Sequence, residues 1–269
     1  MWPIITSTFR EAFAKKIFIG YYILYTLIIL FFLLAVNIDS VEGIISVMGS
    51  SGSEENIKEF VISAQAGMTS FSYLLVLIFC IISSASFIPS MVDKGTIDLL
   101  ISKPLSRTSI LLSKFLGAVL FVALSLVYFI GFIWLILSAK SGYWNFNFLY
   151  TILSLTFAFA VMYSIVVLIG LMTQSAILGI LVNLFLIFVL LPVLSNREIV
   201  IFSFVTNEAV RFIFNFFYYI FPKPGEINDI TIKLITGEHV DSWQPAITSL
   251  LFCSAVMAFS VYYFSKKDY

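Results

Sequence analysis

The sequence predicts an all-α integral membrane protein, a single transmembrane domain over residues 1–269 with six transmembrane helices, and three observations predict it. Hydrophobic residues make up 61% of the chain and charged residues only 11%, and the mean hydropathy is +1.05, outside the range of a soluble globular domain. Six apolar runs lack Asp, Glu, Lys, Arg and His, and each approaches or exceeds the roughly 20 residues that a bilayer-crossing helix needs. The charges fall between these runs. Formal net charge is zero, so nucleic-acid binding has no basic patch to rest on, and only the distribution of charge is informative.

In chain order, Trp2, Ile5, Phe9 and Phe13 fall near one helical face with Thr8, Glu11 and Lys15 opposite. That is the pattern of an amphipathic helix lying on the membrane surface; the alternative is a solvated tail. Residues 17–36 form the first span, long enough to remain as an anchor where a cleavable leader would be shorter. Residues 37–66 read as a polar loop, with Asp39, Glu42, Glu54, Glu55 and Glu59 against Lys58 and a flexible run at Gly49 to Ser53. The second span is 67–92. The third (115–139) and fourth (148–172) flank a short loop with Tyr143 and Trp144 as interfacial aromatics. Thr173-Gln174-Ser175 is a minimal turn into the fifth span (176–194), where Pro192 is tolerable near the helix end.

Residues 199–221 are apolar enough to span but carry Asn207, Glu208, Arg211 and Asn215 as one polar stripe, in which Glu208 and Arg211 can pair at i, i+3. A lipid-facing span would lose several kcal/mol to those charges, so the segment is expected to be an extracytoplasmic interfacial or re-entrant helix between spans five and six. Its bland alternative is a surface helix paired for solubility. Pro222-Lys223-Pro224-Gly225 ends it, a mixed polar loop is expected as far as Gln244, and 246–264 is the last span.

Between the second and third spans lies the long charged island Asp93 to Lys114. Gly95 and Thr96 can open a helix, Ile97, Leu100 and Ile101 then share one face, and Asp98 and Ser102 point elsewhere. Pro104 stops the helix and Ser106 can cap the next. A short amphipathic helix clamped between two membrane helices is what a mechanical link to a soluble partner requires, since a force on it moves both; on spacing alone an ordinary loop serves equally well.

Nine of the fifteen Lys and Arg residues (Arg10, Lys15, Lys16, Lys94, Lys103, Arg107, Lys114, Lys266 and Lys267) fall on the side that holds both termini in a six-span topology, with four acids. The other side holds six bases and eleven acids. The positive-inside rule therefore places both termini in the cytoplasm of a multi-pass inner-membrane protein. A seventh span at 199–221 would move Lys266 and Lys267 outside.

The spans offer little chemistry. Asn183 is their only side-chain amide, whereas proton relays and ion-coupled carriers use ionisable groups at depth. Cys80 and Cys253 sit in apolar runs and imply neither disulfide nor metal; His239, between Glu238 and Asp241, reads as a solvated histidine. No GxxxxGK[ST] phosphate loop is present. An enzyme is not expected, and uphill transport would draw its energy from a partner.

The run Asp93-Lys94-Gly95-Thr96-Ile97-Asp98-Leu99-Leu100-Ile101-Ser102-Lys103-Pro104-Leu105-Ser106-Arg107, followed by Ile110-Leu111-Leu112-Ser113-Lys114-Phe115-Leu116-Gly117, resembles the signature of the type-2 ABC transporter permease family. Thr8-Phe9-Arg10-Glu11-Ala12-Phe13 is similar to that family's N-terminal elbow helix. Tyr219-Ile220-Phe221-Pro222 before the last span is similar to the branch containing the membrane subunit of the nitrous-oxide-reductase maturation transporter. The resemblance implies a six-span permease that dimerises with itself or a close relative and binds two copies of a separate ABC ATPase subunit. ATP and magnesium would reside in that subunit, with no cofactor in this chain. Its coupling helix would be Gly95 to Ser102, with Ile97, Leu100 and Ile101 in a cleft of the ATPase and Lys94 and Arg107 meeting acidic rim residues. Membrane lipid is a further expected partner, with room for an extracytoplasmic accessory protein, and export is the expected direction. A non-transporting membrane scaffold is the alternative that fits the uncharged core equally well; the signature alone speaks against it.

Overall fold

A computed structural model describes residues 2–14, 16–35, 54–93, 95, 106–205 and 207–267. Among these residues every regular element is helical. The chain order is α1 (Trp2–Ala14), α2 (Lys16–Ala35), α3 (Glu54–Ser84), α4 (Phe87–Val92), α5 (Arg107–Ser141), α6 (Tyr150–Thr173), α7 (Ala176–Phe185), α8 (Leu191–Ser195), α9 (Arg197–Val200), α10 (Glu208–Ile220), α11 (Pro224–Thr236) and α12 (Gln244–Lys266). Five segments are long and apolar enough to cross a membrane: Glu55–Val92, Arg107–Ser141, Phe146–Thr173, Ala176–Ser195 and Gln244–Lys266. Within α2 a shorter apolar stretch is Tyr22–Phe31.

Helix ends follow local chemistry. Ser106, expected as a cap, accepts the Ser109 amide at 3.2 Å and starts α5. Gly142 ends that helix at φ +73°, a left-handed conformation that glycine adopts without strain. Ser175 caps α7. Between α7 and α8 the helix widens into a π-turn over Leu186–Leu190, just before Pro192. Proline lacks the donor for the preceding turn and its ring crowds the carbonyl there, so widening relieves the crowding without breaking the span.

The central helix is α6, which packs against α3, α5, α7, α11 and α12 and buries Phe159, Met162, Tyr163, Val166 and Val167 almost completely. The helices run in register along one another. Tyr22 meets Ser125 and Thr26 meets Tyr128, both at 2.9 Å, and Tyr25 stacks on Phe129; α2 therefore runs parallel to α5. Tyr73 meets Ser154 at 2.8 Å and Gly170 approaches Ile88 and Pro89, so the α3–α4 arm runs parallel to α6.

Two expectations need correction. The region 222–244 is not a polar loop throughout: Pro224–Thr236 is a helix, and its Ile227, Ile230, Thr231 and Ile235 are buried against α3 and α6. The Thr231 hydroxyl bonds to Ser154, extending the contact from Tyr73 into a three-hydroxyl chain that pins α11 inside the bundle. The 37–66 loop is likewise shorter than expected, because α3 begins at Glu54 and extends the second span outward. A third difference is one of orientation. In α1 the packed side chains are Ile4, Thr8 and Ala12, while Phe13 is exposed. The supposedly solvent-facing Thr8 and Glu11 thus turn inward. In a membrane, lipid is as apolar as phenylalanine, so small residues and polar pairs decide which face packs.

Candidate functional site

Two polar constellations stand at opposite ends of the bundle. The first frames the charged island. Glu11 on α1 accepts the Ser90 hydroxyl of α4 through Oε1 at 2.6 Å and forms an ion pair with Lys114 of α5 through Oε2. Ser90 lies at the end of the arm that enters the island and Lys114 on the arm that leaves it, so one carboxylate ties both. Its helix is held close: a Cβ placed on Gly117 would lie 3.0 Å from Thr8 Cβ, tighter than ordinary van der Waals contact. Phe9 and Phe13 both stack edge-on against Phe121, one turn beyond Gly117. On the other flank, Arg107 donates to the carbonyls of Phe264, Ser265 and Lys267 at the end of α12, a favourable place for a cation. Lys267 in turn donates to the Leu171 carbonyl at 3.3 Å.

Of the island residues expected to couple to a partner, Gly95 and Arg107 are described. Lys94, Thr96, Ile97, Asp98, Leu100, Ile101, Ser102 and Pro104 lie outside the described residues. Gly95 sits at φ +91°, a left-handed conformation that glycine adopts without strain. Arg107, expected at a partner's rim, is here anchored to the end of the last span.

The second constellation lies at the opposite end, where α8, α10 and α11 converge. The predicted stripe does not act as one unit. Asn207 caps α10 by accepting the Ala209 amide at 2.9 Å, and Glu208 follows in the first turn. Arg211 turns away from Glu208 and donates to the Phe202 and Val205 carbonyls at 2.9 and 2.8 Å, closing the preceding turn. Asn215 alone joins a larger cluster, accepting Arg197 Nε at 2.6 Å.

That cluster is centred on Tyr218. The Arg197 guanidinium lies 3.6 Å and Lys223 Nζ 4.4 Å from the centre of its ring, both within cation–π range. The Tyr218 hydroxyl donates to Glu226 Oε2 at 2.9 Å, and Ser195 donates to the other oxygen at 3.1 Å. Lys223 is also held by Thr248 at 2.9 Å. Burial pulls the Lys223 ammonium down to about 8, with Arg197 adding to the effect and Glu226 opposing it. Burial and the bond to Glu226 push the Tyr218 hydroxyl up to about 12. Burial also raises the Asp229 carboxyl, against the pull of Lys233. Ser195, Tyr218, Lys223, Glu226 and Asp229 border a cleft of 330 Å³ between the end of α8 and the corner joining α10 to α11.

Sequence reasoning missed Arg197, Tyr218, Lys223, Glu226 and Asp229. Three segments supply them, and no spacing rule joins segments. A partial signal lay in the Lys223 to Glu226 interval, one helical turn across a Pro-Gly helix start.

Over residues 2–269 the chain matches the family described as ABC-2 family transporter protein. The chain belongs to the ABC-2 transporter family. No curated protein matches its sequence. Membership makes it a multi-pass membrane protein of the permease-subunit type, and membrane subunits of the ABC-2 family work with an ATPase subunit.

Proposed function

We propose that this chain is the six-span permease subunit of an ABC exporter of the cytoplasmic membrane, dimeric, with both termini inside, and driven by ATP hydrolysis in a separate subunit. The twenty-residue α2, parallel to α5, supplies the sixth crossing. The island and the Tyr219 to Pro222 segment support a place in the branch of the nitrous-oxide-reductase maturation permease. One observation carries the reading: the Glu11 carboxylate joins the arms on both sides of the island. A push on the island by an ATPase would then move the second span, the third span and α1 as one body. Arg107 extends the same coupling to the last span.

Affinity purification of the tagged chain from native membranes tests the reading. An ATP-hydrolysing partner should accompany it and be lost on Leu100→Asp, which places a charge on the apolar face of the island. Recovery of no nucleotide-binding protein would transfer the assignment to a non-transporting scaffold. Retention of the ATPase by the Leu100→Asp chain would move the docking site away from Gly95 to Ser102.

A further inference from the structure

The cleft at the α8–α10–α11 junction contains unpaired charges of both signs. Lys223, Glu226 and Asp229 all line it. Among the described residues the ion pairs are Glu11 with Lys114, Arg197 with Glu198 and Lys233 with Asp241, so no cation of the cleft is paired with an anion of the cleft. Between them stands Asn228, 9% exposed, whose Oδ1 has no hydrogen-bond partner. A buried carboxamide oxygen without a donor is destabilising, and a donor group in the cleft, which Asn228 lines, would satisfy it. Separated opposite charges beside an unsatisfied amide suit a ligand that itself carries both charges.

A second cavity fixes the rest of the ligand. Leu194 and Phe221 border the polar cleft and also a groove of 300 Å³ between α7–α8 and α10. The groove is otherwise lined by Phe185, Val189, Leu190, Val193, Phe214 and Phe217. All of these side chains are hydrocarbon, so the groove can hydrogen-bond neither a peptide nor a sugar, but it can take an acyl chain. Phe212 and Phe216 on the same α10 are 71% and 53% exposed, as expected of a helix seated in lipid.

We propose that cleft and groove together bind one phospholipid whose headgroup carries a phosphate and a primary ammonium, with an acyl chain in the groove. The phosphate meets Lys223. The ammonium meets Glu226 and Asp229 and hydrogen-bonds where a quaternary ammonium has no proton to give. Neither contact requires ATP, so the site stands apart from the transport reading.

The test uses the purified full-length chain without an ATPase, with a fluorescent phosphatidylethanolamine as probe in detergent. Unlabelled phosphatidylethanolamine should compete at least about tenfold better than phosphatidylcholine, which lacks the ammonium protons, or phosphatidylglycerol, which lacks the cation. Lys223→Met and Glu226→Gln should each weaken the probe by about tenfold or more. Val193→Trp, on a partly exposed position of the groove wall, removes no buried contact and should abolish lipid binding on a chain that still elutes as the folded species. Equal competition by all three lipids, or unchanged affinity in Val193→Trp, would overturn the proposal. Soluble glycerophosphoethanolamine competing as well as the lipid would also overturn it, in favour of a water-soluble zwitterion.

Discussion

At the island end, Glu11 and Lys114 neutralise each other behind Ser90, with the lysine side chain 8% exposed. At the cleft end, Lys223 and Glu226 engage the same tyrosine without pairing with one another. The same kinds of residue produce a closed ion pair in one place and separated charges beside a cleft in the other. Paired charges in a small-residue interface fix geometry, as a part that transmits force requires. Charges held apart by an aromatic ring remain available to a visitor.

Breaking the closed joint should have the largest effect. Removing one partner of a buried ion pair leaves the other uncompensated, at about 3–5 kcal/mol. Lys114→Met should therefore depress the unfolding temperature of the detergent-solubilised protein strongly. The double variant Glu11→Gln with Lys114→Met should recover most of the loss; an additive double variant would mean that the pair is not coupled. Next is Gly117→Ala, which forces α1 away from α5 at about 1–3 kcal/mol. Adding Thr8→Ala removes two of the three close atoms and should restore part of the stability. If Gly117→Ala proves neutral, α1 is not held at that distance. Ser154→Ala cuts the chain from Tyr73 to Thr231 and should cost about 1 kcal/mol, read as faster proteolysis in the 222–244 region.

The last effect is a pH dependence at the cleft end. Lys223 titrates near 8 in the fold against its ordinary 10.5. Below 8 both folded and unfolded chains hold the proton, and the full burden of a buried charge is present. Between 8 and 10.5 the unfolded chain binds more protons, so stability rises with pH across that window. Lys223→Met should flatten the rise; an identical slope in that variant would assign it to another group.

Five of the spans were legible because length and apolarity alone define them, and the Ser106 cap because a cap is local. Helix α11 was not read, since Asn228, Asp229 and Thr231 gave it the look of a loop. Its Ile227, Ile230, Thr231 and Ile235 nonetheless recur at helical intervals, opened by Pro224 and closed by Gly237 at φ +79°. The polar face of α1 was read outward because amphipathicity was judged against water, when the neighbouring phase is lipid. The cleft depends on contacts between Arg197, Tyr218 and Lys223 that only the turn from α8 through α10 into α11 creates.

The Glu11 joint also sets an order of assembly. Its partner lies 103 residues further along the chain, which at typical rates of synthesis means about 5–20 s between the two. During that interval the carboxylate of α1 waits at the membrane surface without Lys114, while two spans are inserted. Docking of α1 is therefore a late event in biogenesis, and a chain stalled before residue 114 would expose the N-terminal helix to quality-control proteases.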